Sequence, residues 1–131
     1  MKRVLIILFF ASVLIYAKAE AHVFYVYSED IMFEYGKMEY VEAVENAFMR
    51  AGHEITRDRN YGDFSVLVSV KEWIEDELWG LSKAEKVELT IIVSKPYRPE
   101  MIGRESAQGK KNNIDKLADK VVKNIRKYLK K

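Results

Sequence analysis

The side chains best suited to metal binding or catalysis are two histidines, His22 and His53, in a chain that has no cysteine. Without cysteine, disulfides, thiolate metal sites and a cysteine nucleophile are excluded. If a leader is removed after Ala21, the amine and imidazole of His22 together with the imidazole of His53 offer three nitrogens, a ligand set that copper accepts. The alternative is that His22 leads into a strand and His53 follows a helix end, both as exposed side chains. We predict no cofactor, and copper is the lesser interpretation.

Carboxylates near the ends of predicted strands are the second group that could bind a metal or act in catalysis. Such groups bind calcium or hydrolyse glycosides. In the segment 58–63, however, Arg59 and Tyr61 take positions that a calcium loop gives to ligands, so we predict solvated turn residues. The chain also lacks a glycine-rich phosphate loop, His-Glu-x-x-His and Gly-x-Ser-x-Gly. We therefore predict no catalytic residue, and a small envelope hydrolase that uses carboxylates or a metal is the alternative function. The carboxylates are Glu29, Asp30, Glu34, Asp58 and Asp63.

The amino terminus predicts export. Lys2 and Arg3 precede an apolar run over residues 4–16, and small residues at 17, 19 and 21 follow it. This order is typical of a signal peptide, here residues 1–21, with cleavage after Ala19 or Ala21. The run is shorter than the ~20 residues that span a bilayer. We expect a periplasmic or extracellular protein, and the alternative is an inner-membrane anchor formed by an uncleaved signal.

Charge is distributed unevenly along the chain. Residues 22–108 hold 10 basic and 17 acidic residues, whereas residues 109–131 hold nine basic and two acidic ones. The abundance of lysine and glutamate beside a single glutamine leans towards a thermophilic source. The carboxyl-terminal lysines predict a solvated helix face or weak contact with an anionic membrane surface. No nucleic-acid-binding motif is present, so we expect no nucleic acid partner. The basic face comprises Lys116, Lys120, Lys123 and Lys127.

The elements that position these groups follow from hydrophobic periodicity. Val41, Val44 and Phe48 form a helical stripe with Glu45 off it, and Gly52 ends that helix. A second amphipathic helix follows Asn112 or Asn113 as its cap. Strands are predicted at 23–27, 53–56, 64–70 and 87–93, and the third of these extends to 74. A brief edge strand is predicted at 101–106. A loop is predicted at 75–85 and a flexible segment at 107–109.

The predicted fold is α+β, a two-layer sandwich with a β-α-β-β-β-α order and a mixed sheet. Residues 22–131 form one domain. Each helix has one apolar face, so we expect both helices on the same side of the sheet, which leaves the other side partly open. Alternation in the first strand places Phe24 and Val26 in the core and Tyr25 and Tyr27 on the open side. With Trp73, these tyrosines form our candidate binding patch.

Several local patterns resemble the amino-terminal domain of TolB and related modules of envelope lipoproteins, including the curli secretion lipoprotein. The matching stretches are 51–55, 62–68, 87–93 leading into 101–105, and the final helix. Two departures stand out: the turn at 95–99 lacks the expected Asp and Gly, and no lipid-anchor cysteine exists. The resemblance implies a non-enzymatic envelope domain that contacts other proteins.

The sequence thus predicts an exported interaction domain that binds an envelope protein through its open sheet face or an edge strand. Strand addition uses main-chain groups and therefore needs no signature residues. The oligomeric state is left open.

Overall fold

The computed structural model describes residues 21–28, 35–98 and 100–129. The predicted leader before Ala21 and the carboxylates of Glu29, Asp30 and Glu34 lie outside these residues. Within them the chain forms five strands and two helices. The elements are β1 (Val23–Tyr27), α1 (Tyr35–Arg50), β2 (Glu54–Thr56), β3 (Phe64–Glu77), β4 (Ser82–Ser94), β5 (Met101–Lys110) and α2 (Ile114–Leu129). Short 3-10 turns at Arg59–Tyr61 and Lys111–Asn113 precede β3 and α2.

The strands form one mixed sheet in the order β2-β1-β3-β4-β5. β1 pairs in parallel with β2 and β3, and β3, β4 and β5 form an antiparallel meander. α1 and α2 contact each other and the sheet, and their apolar residues share one core cluster with it. The predicted α+β two-layer sandwich is confirmed. None of the helices among the described residues is long and apolar enough to cross a membrane.

Strand alternation decides which side chains enter the core. Phe24 and Val26 of β1 are buried in the core, as predicted, and Val26 pairs with the inward residue Val66 of β3. The helices cover this side because the apolar face of α2 and a wide face of α1 pack onto it. The fully buried inward residues of the two long strands are Val66, Val68, Val87, Leu89, Ile91 and Val93.

Glu45 departs from its predicted position off the apolar stripe. It is only 3% exposed, although Val41, Val44 and Phe48 are buried as predicted. The reason is that α1 contacts the sheet on one side and α2 on the other, so its buried arc is wider than one stripe.

Two predicted loops were wrong. Residues 75–85 are not a loop, because β3 continues to Glu77 and β4 begins at Ser82. Residues 107–109 are not a flexible end, since Ala107 pairs with Leu89 and Gly109 with Val87 in β5. Small residues are needed there because α2 packs directly on β5, where Leu117 touches the Gly109 position.

Candidate functional site

The predicted patch of Tyr25, Tyr27 and Trp73 lies on the side of the sheet that faces away from the helices. All three side chains are partly exposed. The structure divides them into two groups, however. The tyrosine rings stack with centroids 5.5 Å apart, and Tyr27 pairs with Leu67, whereas Trp73 lies six residues farther along β3. At ~3.3 Å per residue this is about 20 Å. The three residues do not form one continuous patch.

The tyrosine end of the open face is partly covered by two turns. The guanidinium of Arg59 lies 5.7 Å from the ring centroid of Tyr27. The hydroxyl of Tyr97, in the turn between β4 and β5, donates to Oδ1 of Asn60 at 2.7 Å. Leu67 is half-buried here. This end is therefore a semi-enclosed aromatic surface, while the Trp73 end is flanked by charged residues.

The most exposed apolar cluster was missed by sequence reasoning. β1 pairs with β3 no farther than Leu67, and β5 pairs with β4 no farther than Lys86. Within the described part of the chain, residues 74–85 therefore pair only with each other. We call this two-stranded projection the arm. Trp79 at its tip is fully exposed, and three further apolar side chains are at least 67% exposed: Ile74, Leu78 and Leu81.

The tip of the arm also carries an unusual backbone. Leu78 and Trp79 have φ values of 53° and 59°, and Gly80 follows with 84°. A left-handed conformation costs a non-glycine residue roughly 1–2 kcal/mol. Hairpin turns that need positive φ prefer asparagine, aspartate and glycine. Two large apolar residues at these positions are therefore not explained by the stability of the turn.

The two helices form a shallow groove of about 340 Å³ on the surface of the domain. Its floor consists of Ala47, Ala51 and Val122. Its rim is mainly basic and comprises Arg50, Lys123, Arg126 and the single acid Asp119. Arg50 binds Asp119 through Nη2 and Nε at 2.8 and 3.1 Å, which links α1 to α2.

The four lysines of the basic helix face are all exposed, as the amphipathic pattern predicted. Only Lys123 lines the groove. Nζ of Lys127 lies 2.9 Å from Oε1 of Glu105, and this carboxylate raises the pKa of Lys127. Contact of this face with an anionic membrane stays a prediction.

The edge strands differ in their capacity for strand addition. β2 has three residues, and β5 has ten with one side unpaired in the described part of the chain. β5 is therefore the edge long enough to accept another strand.

The remaining carboxylates hold turns. Asp58 accepts from the N–H of Asn60 at 2.9 Å and caps the 3-10 turn, and Oδ2 of Asp63 accepts from the N–H of Val23 at 2.9 Å. In the ranges that the structure describes, no three His, Cys, Asp or Glu side chains gather as a metal group.

The two histidines meet although 31 residues separate them. The N–H of His22 donates to Nδ1 of His53 at 3.1 Å, and their ring centroids are 5.9 Å apart. Burial lowers the pKa of His53, and the charges of His22 and Arg126 lower it further. Both histidines are only partly exposed, whereas the alternative interpretation of the sequence expected exposed side chains.

Two further ionisable groups have pKa values shifted mainly by burial. Burial raises the pKa of Glu45, while the ion pair with Arg57, at 3.0 Å, opposes the shift. Burial and a hydrogen bond to Glu72 raise the pKa of Tyr40. Neither group lines the groove between the helices, so the shifted groups and the groove do not make one site.

No protein-family model and no curated protein matches the sequence. Solved structures do match. The hypothetical protein CT253 from Chlamydia trachomatis has a TM-score of 0.58 at 9% identity, covering 84% of this chain and 98% of that one. A PelC dodecamer from Paraburkholderia phytofirmans has a TM-score of 0.52 at 14% identity, covering 82% and 89%. The likeness is one of fold.

A minor lipoprotein from Acinetobacter baumannii has a TM-score of 0.47 at 11% identity, covering 81% of this chain and 93% of its own. The resemblance to TolB and the curli secretion lipoprotein stays a prediction, as do the signal peptide and the thermophilic source.

Proposed function

We propose that this chain is an exported, non-enzymatic interaction domain of the cell envelope, and that its principal contact is the arm. One observation carries the proposal: Leu78 and the fully exposed Trp79 occupy a turn with positive φ values, which favour asparagine, aspartate or glycine. Exposed apolar clusters on soluble domains mark interaction sites, and tryptophan is enriched among residues that dominate binding.

The partner that we assign to the arm is a second copy of this chain. The arm carries Glu75, Asp76, Glu77 and Glu85 against Lys83, a net charge of −3. The groove between α1 and α2 offers the complement, an apolar floor with a mainly basic rim. Opposite charges steer association and fix its register, and burial of the tip supplies the driving force. The same negative charge disfavours insertion of the arm into an anionic membrane.

An arm that binds a groove elsewhere on the next copy makes a heterologous interface. Such interfaces close into rings or continue as filaments. The PelC dodecamers are examples of a chain of similar fold that assembles into an oligomer. This supports self-assembly as the role of the arm.

The open sheet face and the β5 edge then remain for a different envelope protein. Tyr25, Tyr27 and Trp73 are the candidate contacts on the face, and strand addition at β5 is the main-chain alternative. The second candidate function is a small hydrolase, which would need a carboxylate available for catalysis. The one carboxylate that lines the groove, Asp119, is paired with Arg50, so the groove does not support this function.

Analytical ultracentrifugation of the exported protein at increasing concentration tests self-assembly. We expect oligomers that weaken with salt, and we expect Trp79→Ala and Lys123→Glu each to weaken association at least tenfold, since tip and rim residues each contribute on the order of 1.4 kcal/mol or more. Tyr61→Ala is the matched control, because Tyr61 is an exposed aromatic outside the arm and the groove. A wild-type chain that stays monomeric, or a Trp79→Ala chain that assembles normally, would contradict the proposal.

A further inference from the structure

The two histidines lie at the position where the predicted leader ends. Nδ1 of His53 accepts a hydrogen bond from the backbone nitrogen of His22 at 3.1 Å, so its lone pair points at that nitrogen. If the leader is removed after Ala21, the same nitrogen becomes a free amine. The amine nitrogen and Nδ1 of His53 would then already lie within hydrogen-bonding distance of each other.

The backbone around this pair is fixed on both sides. The carbonyl of His22 accepts from the N–H of Glu54 at 3.0 Å, and the N–H of His53 donates to the carbonyl of Phe48 at 3.0 Å. Val23 is held by Asp63 through its N–H at 2.9 Å and its carbonyl at 2.8 Å. Chain ends usually fray, but these bonds hold the backbone at His22 in place.

Phenylalanine rings hold the imidazoles from the sides. Phe64 lies 5.2 Å from the ring of His22, and Phe24 lies 5.0 Å from the ring of His53, both measured between centroids. Phe48 lies 6.0 Å from His53. Rings packed in this way are oriented before any ligand binds, which lowers the entropic cost of binding.

We propose that processing after Ala21 creates a copper(II) site from the amine and imidazole of His22 and the imidazole of His53. Nitrogen ligands lie about 2.0–2.1 Å from such metals, so two nitrogens at a right angle are about 2.9 Å apart. The observed separation of 3.1 Å fits two adjacent ligands. The two imidazole rings lie close together, with centroids 5.9 Å apart and ring planes inclined by 23°.

Copper(II) is the metal that best matches this donor set. It forms tetragonal sites with nitrogen ligands and binds a given site more tightly than the other divalent first-row metals. The inference is independent of the proposed self-assembly, because neither histidine belongs to the arm or lines the groove.

The experiment begins with the full chain exported under its own leader and analysed by intact mass. We expect a mature chain that starts at His22 and binds one copper(II) per chain in a calorimetric titration, with nitrogen coupling in the electron paramagnetic resonance spectrum. We expect His53→Gln to weaken copper binding by at least about tenfold. A thermal unfolding curve of the metal-free variant establishes that it is folded.

A chain with one extra methionine before His22 is the matched control, since it keeps both imidazoles but displaces the amine. In that chain we expect His53→Gln to have no effect on copper binding. A mature chain that starts at Glu20 would overturn the proposal even if it binds copper, because its amine, two amide nitrogens and the His22 imidazole fill the coordination plane without His53. Equal copper affinity of wild type and His53→Gln in the His22-initiated form would overturn it as well.

Discussion

Gly103 of β5 lies directly against Tyr128 of α2, so close that a methyl group at position 103 would overlap Cβ, Cγ and Cδ2 of the tyrosine. The contact packs α2 onto β5, which has no strand on its other side among the residues that the structure describes. It explains why β5 is rich in small residues, and it makes Gly103 a test of how tightly the two layers pack.

Gly103→Ala should therefore destabilise the domain by about 1–3 kcal/mol, the usual cost of overpacking a well-packed core. Urea denaturation measures the change. Gly109→Ala is the matched control on the same strand, where a methyl group would meet Leu117 at 3.0 Å. Because the tip of a leucine side chain can move, this variant should cost less. Equal losses for the two variants would show that the Gly103 contact is not special.

The strained backbone at the tip of the arm predicts that substitutions there will stabilise the fold and weaken self-association. Replacing Leu78 or Trp79 by asparagine, which tolerates positive φ, should stabilise the fold by about 0.5–1 kcal/mol for each residue. The same variants should weaken self-association, because they remove apolar surface from the tip. Thermal denaturation and ultracentrifugation of the same samples separate the two effects. A variant that loses stability would mean that the side chains support the turn.

The buried carboxyl of Glu45 predicts a pH-dependent contribution to stability. Its pKa is raised in the folded state, so folding favours the protonated form. Its stabilising contribution is complete below the ordinary value of 4.5 and is lost as the pH rises through the raised folded pKa. Relative to Glu45→Gln, the wild type should therefore become less stable across this range. Urea denaturation at a series of pH values measures this difference.

Glu39→Gln removes an exposed carboxylate from the same helix and reports what the loss of one charge does by itself. Glu42 is unsuitable as this control, because its charge raises the pKa of Glu45. Arg57→Ala removes the partner that stabilises the ionised form of Glu45, so it should cost about 1 kcal/mol near neutral pH. The cost should shrink on acidification, as Glu45 becomes neutral. A stability difference between wild type and Glu45→Gln that does not change with pH would contradict the assigned burial.

The open sheet face predicts a separate loss of binding to an envelope partner. Tyr25→Ala and Trp73→Ala should each reduce capture in a crosslinking pull-down by more than about tenfold if both ends of the face are used. The fold should stay intact, because neither side chain belongs to the core cluster. Loss with only one of the variants would identify which end of the face is in contact. Unchanged capture with both would exclude this face.

Several features followed from local pattern alone. The alternation in β1 placed Phe24 and Val26 inward, and the apolar stripe of α2 put Ile114, Leu117 and Val121 in the core. Both depend on periodicity along one element, which the chain carries in its own residue order. The fold class followed from these elements, because each helix had one face to bury.

Tertiary structure decided how far the elements extend and which distant residues meet. The arm was missed because β3 and β4 continue beyond the rest of the sheet as a hairpin, and the charged residues at 75–77 conceal these strands in the sequence. The burial of Glu45 depended on a second helix, and the separation of Trp73 from Tyr27 depended on strand register. The sequence supplied His22 and His53, but only the parallel pairing of β1 with β2 brought them to 3.1 Å, because contacts across 31 residues are determined by topology.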